Sequence, residues 1–364
     1  MRGALVLVAA LAGVGCDACR RTPKPDDGAG NATGKARAVA AAEIGDAATT
    51  DAGKRSNTLL GGERGLDHVG IAVKSLDEAT RTYHELLGFD KPTEGKLPNG
   101  IRNVNYYFGD ATYLETMVHY DRQKAAWLAD FTDKREGALF GVLAAYSPEA
   151  TAQYLKARGI TMGEIYSGTI QTSGESAMPE ERWKTFFLPE GQLAGNPLYF
   201  IAYPRASRED FLRKLGHRKV REIFRHPNTA LGLRAVWIGV PDLAAASKQY
   251  EAIGLTRGRT FRDAELGADG QVFQAGLGEI WLLSPSAPEG ASKIGAFLRE
   301  RGGAAILGVT LAAGDVATAS SLIQERTKTP MPTYEGVLGT SIRVPPQLTH
   351  GVWLEFAQQP GKPW

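Results

Sequence analysis

The pattern of hydrophobic and polar positions divides the chain near Asn57. Residues 17–57 are mostly Ala, Gly, Asp, Thr and Lys, with almost no large apolar side chain. Such a segment cannot bury enough surface to offset its chain entropy, so it predicts a flexible tether. After it, short apolar runs alternate with amphipathic stretches almost to the C-terminus, which predicts folded domains.

The folded part of the sequence contains a fourfold repeat. Each copy opens with an apolar run, at residues 66–73, 138–143, 233–240 and 306–311. A helix-capping residue and an amphipathic helix follow, and then further strand-like runs. The repeat predicts a β-α-β-β-β unit of the α+β class. Because one unit leaves a sheet face bare, the four modules are expected to pair into two domains.

Paired modules of this kind resemble the vicinal oxygen chelate superfamily. That superfamily includes glyoxalase I, extradiol dioxygenases, methylmalonyl-CoA epimerase and the bleomycin resistance proteins. More narrowly, several runs resemble the glyoxalase-like domain family of bacterial proteins. These runs are Leu66-Asp67-His68, Ile101-Arg102-Asn103, Tyr113-Leu114-Glu115, Pro197-Leu198-Tyr199-Phe200-Ile201 and His226-Pro227-Asn228. The resemblance implies two glyoxalase-like domains of the vicinal oxygen chelate type.

The domain organisation predicted from these patterns has five parts. A signal peptide (1–15) precedes a disordered tether (16–60), and modules one and two form the first domain (61–204). A basic linker helix (205–231) leads to the second domain, formed by modules three and four (232–364). His226-Pro227-Asn228 is expected to fix the turn into module three rather than to act in catalysis.

The N-terminus has the form of an export signal. The apolar stretch at residues 4–14 is shorter than the roughly 20 residues that a membrane-spanning helix needs. It leads through small residues to Cys16, which resembles the lipobox of bacterial lipoproteins, although Gly13 stands where that motif usually has Leu. Lipidation of Cys16 predicts a membrane anchor in the bacterial cell envelope. The alternative is a plain secreted or periplasmic protein.

Composition excludes some classes of protein. The 364 residues carry a formal net charge of +2, which gives no global field for nucleic acid. The two cysteines, Cys16 and Cys19, both precede the folded part. The domains therefore contain no thiol nucleophile, thiolate metal site or disulfide.

The resemblance implies a divalent metal in the cup between paired modules, held by His or Gln on the first strand and Glu on the last strand of each module. Module one has His68 and Glu115 in these places. Counting from the helix caps puts Phe140 and Phe200 in the module-two places. At most one divalent metal is thus expected in the first domain, with an incomplete ligand set. The second domain has Ala235, Leu282 and Gly308, with only Glu355 acidic, and no metal is predicted there.

Two interpretations of the first cup remain open. His68 and Glu115 are either half of a metal site, with Glu115 as the candidate catalytic residue, or a buried hydrogen-bonded pair. Arg102, Asn103, Asn105, Phe140 and Phe200 are the candidate ligand-binding residues. The function is then either a metal-dependent lyase, isomerase or dioxygenase, or a non-catalytic protein that binds or sequesters a small molecule.

Overall fold

The computed structural model describes residues 58–61, 65–172, 182–189, 191–195, 198–203, 219, 222–286 and 292–359. The signal peptide, Cys16, most of the tether and most of the linker helix lie outside these residues. Leu59 and Leu60, which the sequence analysis assigns to the end of the tether, are buried instead. The carbonyl of Leu59 accepts a hydrogen bond from Thr151 at 2.7 Å, so this end of the segment belongs to the first domain.

Modules one and two build one curled sheet, with nine strands among the described residues. Its spatial order is β6-β8-β9-β5-β1-β4-β3-β2-β7. Within each module the first and last strands are parallel neighbours, and the two modules meet where β1 runs antiparallel to β5. The strands are β1 (Leu66–Ala72), β2 (Thr93–Lys96), β3 (Ile101–Tyr107), β4 (Tyr113–His119), β5 (Gly137–Ala144), β6 (Tyr166–Gly168), β7 (Gln171–Thr172), β8 (Trp183–Phe187) and β9 (Leu198–Ala202).

Modules three and four repeat this plan in a second curled sheet, for which the described residues provide eight strands. The order is β11-β12-β13-β10-β14-β17-β16-β15, and β10 is antiparallel to β14 where the modules meet. The strands are β10 (Ala230–Gly239), β11 (Thr256–Asp263), β12 (Ala268–Ala275), β13 (Gly278–Pro285), β14 (Ala305–Ala313), β15 (Tyr334–Gly336), β16 (Gly339–Val344) and β17 (Trp353–Gln358). The predicted α+β class and the two paired-module domains are confirmed.

The helix that follows the first strand of each module begins at a side-chain cap. Ser75, Ser147, Asp242 and Asp315 each accept a hydrogen bond from the backbone N–H three residues later, which satisfies one of the free donors of the first turn. The helices are α1 (Leu76–Thr80, continued as a π-helical segment Arg81–Leu86), α2 (Ala126–Lys134), α3 (Pro148–Lys156), α4 (Leu243–Ala252), α5 (Lys293–Arg301) and α6 (Val316–Thr327), with a 3₁₀ turn at Pro346–Leu348.

The two sheets share one hydrophobic core. A single cluster contains β-strand residues from both sheets together with helix residues such as Tyr83, Tyr250 and Ile323. The opposite face of each sheet encloses a separate, smaller cluster, which we call the first cup and the second cup. Each cup therefore has its own interior, while the domains are joined by a common core. No helix in the described part of the chain is long and apolar enough to cross a membrane.

The segment from β6 to β7 links the two ends of the first sheet. β6 pairs with β8 at one end, and β7, only a few residues later, pairs with β2 at the other. Ile170 lies between them and is fully buried in the first cup. A Cβ built on Gly95 would lie 2.2 Å from Ile170 Cδ1, so the segment packs closely over β2.

Candidate functional site

Strand register shows which positions of the four modules are equivalent. Five residues before each helix cap, the first strand pairs with the last strand of the same module. The pairs are Gly70 with Glu115, Val142 with Tyr199, Trp237 with Trp281, and Thr310 with Glu355. Glu115, Tyr199, Trp281 and Glu355 thus occupy one position, the place where the superfamily carries its glutamate ligands.

The strand register shifts two of the positions predicted from the sequence by one residue. Tyr199, not Phe200, stands in the module-two place, and Trp281, not Leu282, stands in the module-three place. Phe200 faces the shared core and stacks on Phe186 at 5.1 Å, so it does not line the first cup. Leu282 also lies in the shared core. Adjacent residues of a strand face opposite sides, so a one-residue error exchanges the cup for the core.

His68 lies in the first cup with no exposed surface. Its Nδ1 is 2.6 Å from Asp67 Oδ1, which also accepts a hydrogen bond from the hydroxyl of Tyr203 at 2.7 Å. Burial lowers the pKa of His68, and the hydrogen bond to Asp67 opposes this effect. A neutral ring that donates from Nδ1 carries a lone pair on Nε2. Among the residues that the structure describes, this buried Nε2 atom has no hydrogen-bond partner.

Glu115 faces His68 across the cup. Its Oε2 lies 3.5 Å from His68 Nε2, and both side chains are fully buried. Its Oε1 accepts a hydrogen bond from Asn103 Nδ2 at 2.7 Å. Asn103 also donates to Asn105 Oδ1 at 3.2 Å, and Asn105 donates to the hydroxyl of Tyr107 at 3.2 Å. The cup therefore holds a continuous line of buried polar groups on β1, β3 and β4.

Aromatic rings surround this polar line. Tyr113 stacks on the His68 ring at 4.3 Å, and Phe140 meets it edge-on at 5.9 Å. Tyr199 packs against Phe140 at 5.4 Å. Burial raises the pKa of Tyr199 well above its usual value, so its hydroxyl stays protonated. The cup thus combines a few polar groups with an apolar, aromatic wall, as binding sites for small organic molecules do.

Not every candidate ligand-binding residue lies in the cup. Asn103, Asn105 and Phe140 do, but Arg102 faces the other side of β3 and pairs with Glu94 at the surface. The alternation of side chains along the strand decides this, because Asn103 and Arg102 cannot share a face. The sequence analysis missed Asp67 and Tyr203. Asp67 stands directly beside His68 in the sequence, but nothing there signals that Tyr203 reaches it.

The metal implied by the superfamily can be tested against these residues. His68 and Glu115 suit one ion, and Asp67 supplies the carboxylate that usually orients a ligating histidine. The two remaining places, however, hold Phe140 and Tyr199. Across the residues that the structure describes, no three His, Cys, Asp or Glu side chains come together in a group that could hold a metal. The set therefore does not fit a three-ligand catalytic centre.

The second cup has Ala235 and Gly308 where the first has His68 and Phe140. Trp237 and Trp281 stack at 5.6 Å and fill it. Glu355 is fully buried, and Arg343 lies opposite it on β16.

His226 and Asn228 lie at the turn into module three, and both also bond to the first domain. His226 Nδ1 accepts a hydrogen bond from the backbone N–H of Asp90 at 2.9 Å, and Nε2 donates to the carbonyl of Tyr107 at 2.8 Å. Asn228 donates to the carbonyl of Leu87 at 2.8 Å. Both residues hold β10 against the first domain.

The paired modules have the fold of the vicinal oxygen chelate superfamily. Within it, residues 66–254 match the family described as "Glyoxalase-like domain", and the chain belongs to this family. No curated protein sequence is significantly similar to the chain.

The chain is similar to several solved structures, of which the first two named here share its fold. A mutant of 4-hydroxymandelate synthase from Streptomyces coelicolor is 13% identical, with a TM-score of 0.54, and the match covers 83% of this chain and 94% of that one. A hypothetical protein from Staphylococcus aureus is 10% identical, with a TM-score of 0.53, and the match covers 81% and 99%. Methylmalonyl-CoA epimerase from Mycobacterium tuberculosis is 19% identical, with a TM-score of 0.33, and the match covers 36% and 91%.

Proposed function

We propose that the chain is an exported, envelope-anchored protein whose first cup binds a small organic molecule without a metal of its own. The observation that carries the proposal is the pairing of His68 Nε2 with Glu115 Oε2, 3.5 Å apart and fully buried. A lone pair that faces a carboxylate is unfavourable unless a hydrogen-bond donor stands between them. A ligand hydroxyl between the two acceptors, with its single hydrogen donated to one or shared by both, would relieve this conflict.

The surroundings favour a flat apolar ligand with a hydroxyl group. Tyr113 and Phe140 offer ring faces and edges beside His68, while Asn103 and Asn105 add amide groups along the same strand. Phenols and small aryl alcohols combine these features. Phenol and benzyl alcohol are suitable first probes.

The test compares phenols with their methyl ethers in saturation-transfer NMR and calorimetry on the full chain. The ether keeps the ring but loses the donor, so it should bind at least about tenfold more weakly. His68→Gln and Glu115→Gln should each weaken phenol binding by about ten- to a hundredfold, whereas Arg102→Ala should leave it unchanged. Equal binding of phenol and ether, or binding indifferent to both cup substitutions, contradicts the proposal.

A metal-dependent lyase, isomerase or dioxygenase is the second candidate. His68 Nε2 and Glu115 Oε2, 3.5 Å apart, are the two groups that would hold a divalent ion, which would supply a Lewis acid. Metal analysis after loading with Zn²⁺ or Mn²⁺ separates the candidates. A stoichiometric metal that His68→Ala/Glu115→Ala abolishes supports the enzyme. No retained metal supports metal-independent binding.

The envelope location rests on the sequence of the N-terminus. Mass spectrometry of the mature protein should find an acylated Cys16 as the first residue, and Cys16→Ser should release the protein from the membrane fraction. A mature chain that starts elsewhere, without lipid, would identify a secreted or periplasmic protein.

A further inference from the structure

The glutamate of the second cup is already engaged by the protein itself. Glu355 occupies the same register position as Glu115 and is fully buried. Its Oε1 accepts a hydrogen bond from the hydroxyl of Thr310 at 3.0 Å, and its Oε2 accepts one from the hydroxyl of Tyr334. Trp237 Nε1 in turn donates to Thr310 at 2.8 Å, which fixes the hydroxyl that serves Glu355.

The cation beside Glu355 is the guanidinium of Arg343. The two residues are direct cross-strand partners on β16 and β17, and Nη2 lies 3.3 Å from Glu355 Oε2. The same guanidinium reaches Asp263 at 2.6 Å and Glu265 at 3.0 Å. Its planar faces lie near the rings of Trp237 and Tyr334, with Arg343 Cζ at 5.1 Å and 4.7 Å from their centroids.

These contacts meet the requirements of a buried charge. A carboxylate without water needs both hydrogen bonds and a counter-charge, and Glu355 receives both. A planar guanidinium suits a site with several carboxylates and aromatic faces, because it offers five donors in one plane and stacks on rings. A metal ion at Glu355 would have to displace Arg343 or lie beside a positive charge.

We propose that Arg343 is the built-in cation of the second cup and takes the charge role that the superfamily assigns to a metal ion. The buried charge of Glu355 is therefore balanced by the chain's own guanidinium, and the aromatic-packed second cup binds no divalent cation through Glu355. The equivalent residue of the first cup, directly opposite Glu115, is the uncharged Asn105. The third strand of the module thus carries a cation in the second cup and a neutral amide in the first.

A double-mutant cycle on the full chain tests the pairing. Arg343→Met leaves three carboxylates together and should lower the melting temperature by roughly 5–10 °C. Glu355→Gln alone should lower it less, because Arg343 keeps Asp263 and Glu265. In the Arg343→Met background, Glu355→Gln should cost less than it does in the wild type, or even raise the melting temperature, because it removes one of the repelling charges.

Equal costs of Glu355→Gln in both backgrounds would overturn the proposal. If Arg343→Met does not fold, Arg343→Lys provides the same cycle, because lysine retains the charge but lacks the planar group that stacks on the rings. Glu355→Gln should then lower the melting temperature less in the Arg343→Lys background than in the wild type. Equal costs in the two backgrounds would contradict a specific role for the guanidinium.

Metal loading provides an independent test. The His68→Ala/Glu115→Ala chain, which lacks the histidine–glutamate pair of the first cup, is loaded with Zn²⁺, Mn²⁺ or Co²⁺ and analysed for bound metal. No stoichiometric metal, or metal that persists after Glu355→Gln, agrees with the proposal. One equivalent of metal that Glu355→Gln removes overturns it. Phenol binding in the wild-type chain reports separately on the first cup, so failure of one proposal is distinguishable from failure of the other.

Discussion

The two cups have the same strand plan but handle buried charge in opposite ways. In the first, a histidine and a glutamate from β1 and β4 face each other among neutral amides and phenol rings. In the second, Glu355 is matched by Arg343. The same scaffold therefore holds one buried glutamate that faces a histidine and another whose charge an arginine of the chain itself balances. Position in the fold does not by itself assign a function to a residue.

The cups also differ in what fills them. Indole rings of Trp237 and Trp281 lie parallel, 5.6 Å apart, in the second cup. The places of these two residues in module one are taken by Gly70 and Glu115. Where the first cup has a glycine and a carboxylate, the second cup therefore has two large apolar side chains. These pack in its interior as they would in a hydrophobic core.

Of the substitutions that test this difference between the cups, Trp281→Ala should have the largest effect. Loss of a fully buried tryptophan should lower the free energy of unfolding by about 3–5 kcal/mol, measured by urea denaturation. Trp353→Ala removes the same residue type from a partly exposed place and should cost clearly less. Phenol binding should be unchanged in both variants. Weaker binding by Trp281→Ala would mean that the second cup contributes to the ligand site.

Gly70→Ala tests the packing of the first cup in the same way. A Cβ on Gly70 would lie 2.1 Å from Cζ of Phe140, so the ring must move, at a cost of about 2–3 kcal/mol. Gly141→Ala, on the neighbouring strand, is the control, because its Cβ would meet its nearest atoms at 3.8 Å. Only Gly70→Ala should weaken phenol binding. Equal effects of the two substitutions would show that Phe140 has no special place in the cup.

The stability that His226 contributes at the connection between the domains should depend on pH. Burial lowers the pKa of His226 to about 4, against 6.5 for an unperturbed histidine. Between these values the unfolded chain binds a proton that the folded chain does not, so stability is lost as pH falls below about 6.5. From pH 7 to pH 5 the loss due to His226 should be about 2 kcal/mol.

Urea denaturation at the two pH values measures this loss, and His226→Gln should remove that part of the difference. The phenol affinity of the first cup should not depend on His226. A variant with the full wild-type pH dependence would assign the effect to other groups.

The smallest expected effect belongs to Arg102→Ala. The side chain is roughly half exposed and pairs with Glu94 at the surface, so its loss should change the free energy of unfolding by less than about 0.5 kcal/mol. Asn103→Ala, one residue further, removes a buried hydrogen bond to Glu115 and should weaken phenol binding. A loss of binding in Arg102→Ala would contradict the face assigned to β3.

The sequence predicted the fold because local signals repeat in it. The caps Ser75, Ser147, Asp242 and Asp315 stand at the same distance from the apolar run in each module, so the helices and the first strands could be aligned. The last strands carry no such mark. Leu198-Tyr199-Phe200-Ile201 is buried on both faces, and without polar alternation its register cannot be read. For this reason the sequence pattern places Phe200 where Tyr199 lies.

The candidate site was predicted only in part, for a related reason. His68 and Glu115 are rare buried ionisable residues at marked positions, and the sequence singles them out. Tyr203 lies 136 residues from Asp67, and Arg343 meets Glu355 from the neighbouring strand, so only the three-dimensional register brings each pair together. Long-range polar contacts of this kind depend on the sheet pairing and carry no local signature.

The segment Tyr166 to Thr172, which touches both ends of the first sheet, also bears on self-association. A strand at the end of a sheet offers unpaired backbone groups to other chains and is a common starting point for aggregation. By pairing with β2 and β8, this short segment covers one backbone edge of each strand. In the second sheet the end strand β11 carries Arg257, Arg259 and Arg262 on a largely exposed surface. Covered strand edges in the first domain and charged side chains on the end strand of the second are both features that disfavour edge-to-edge assembly.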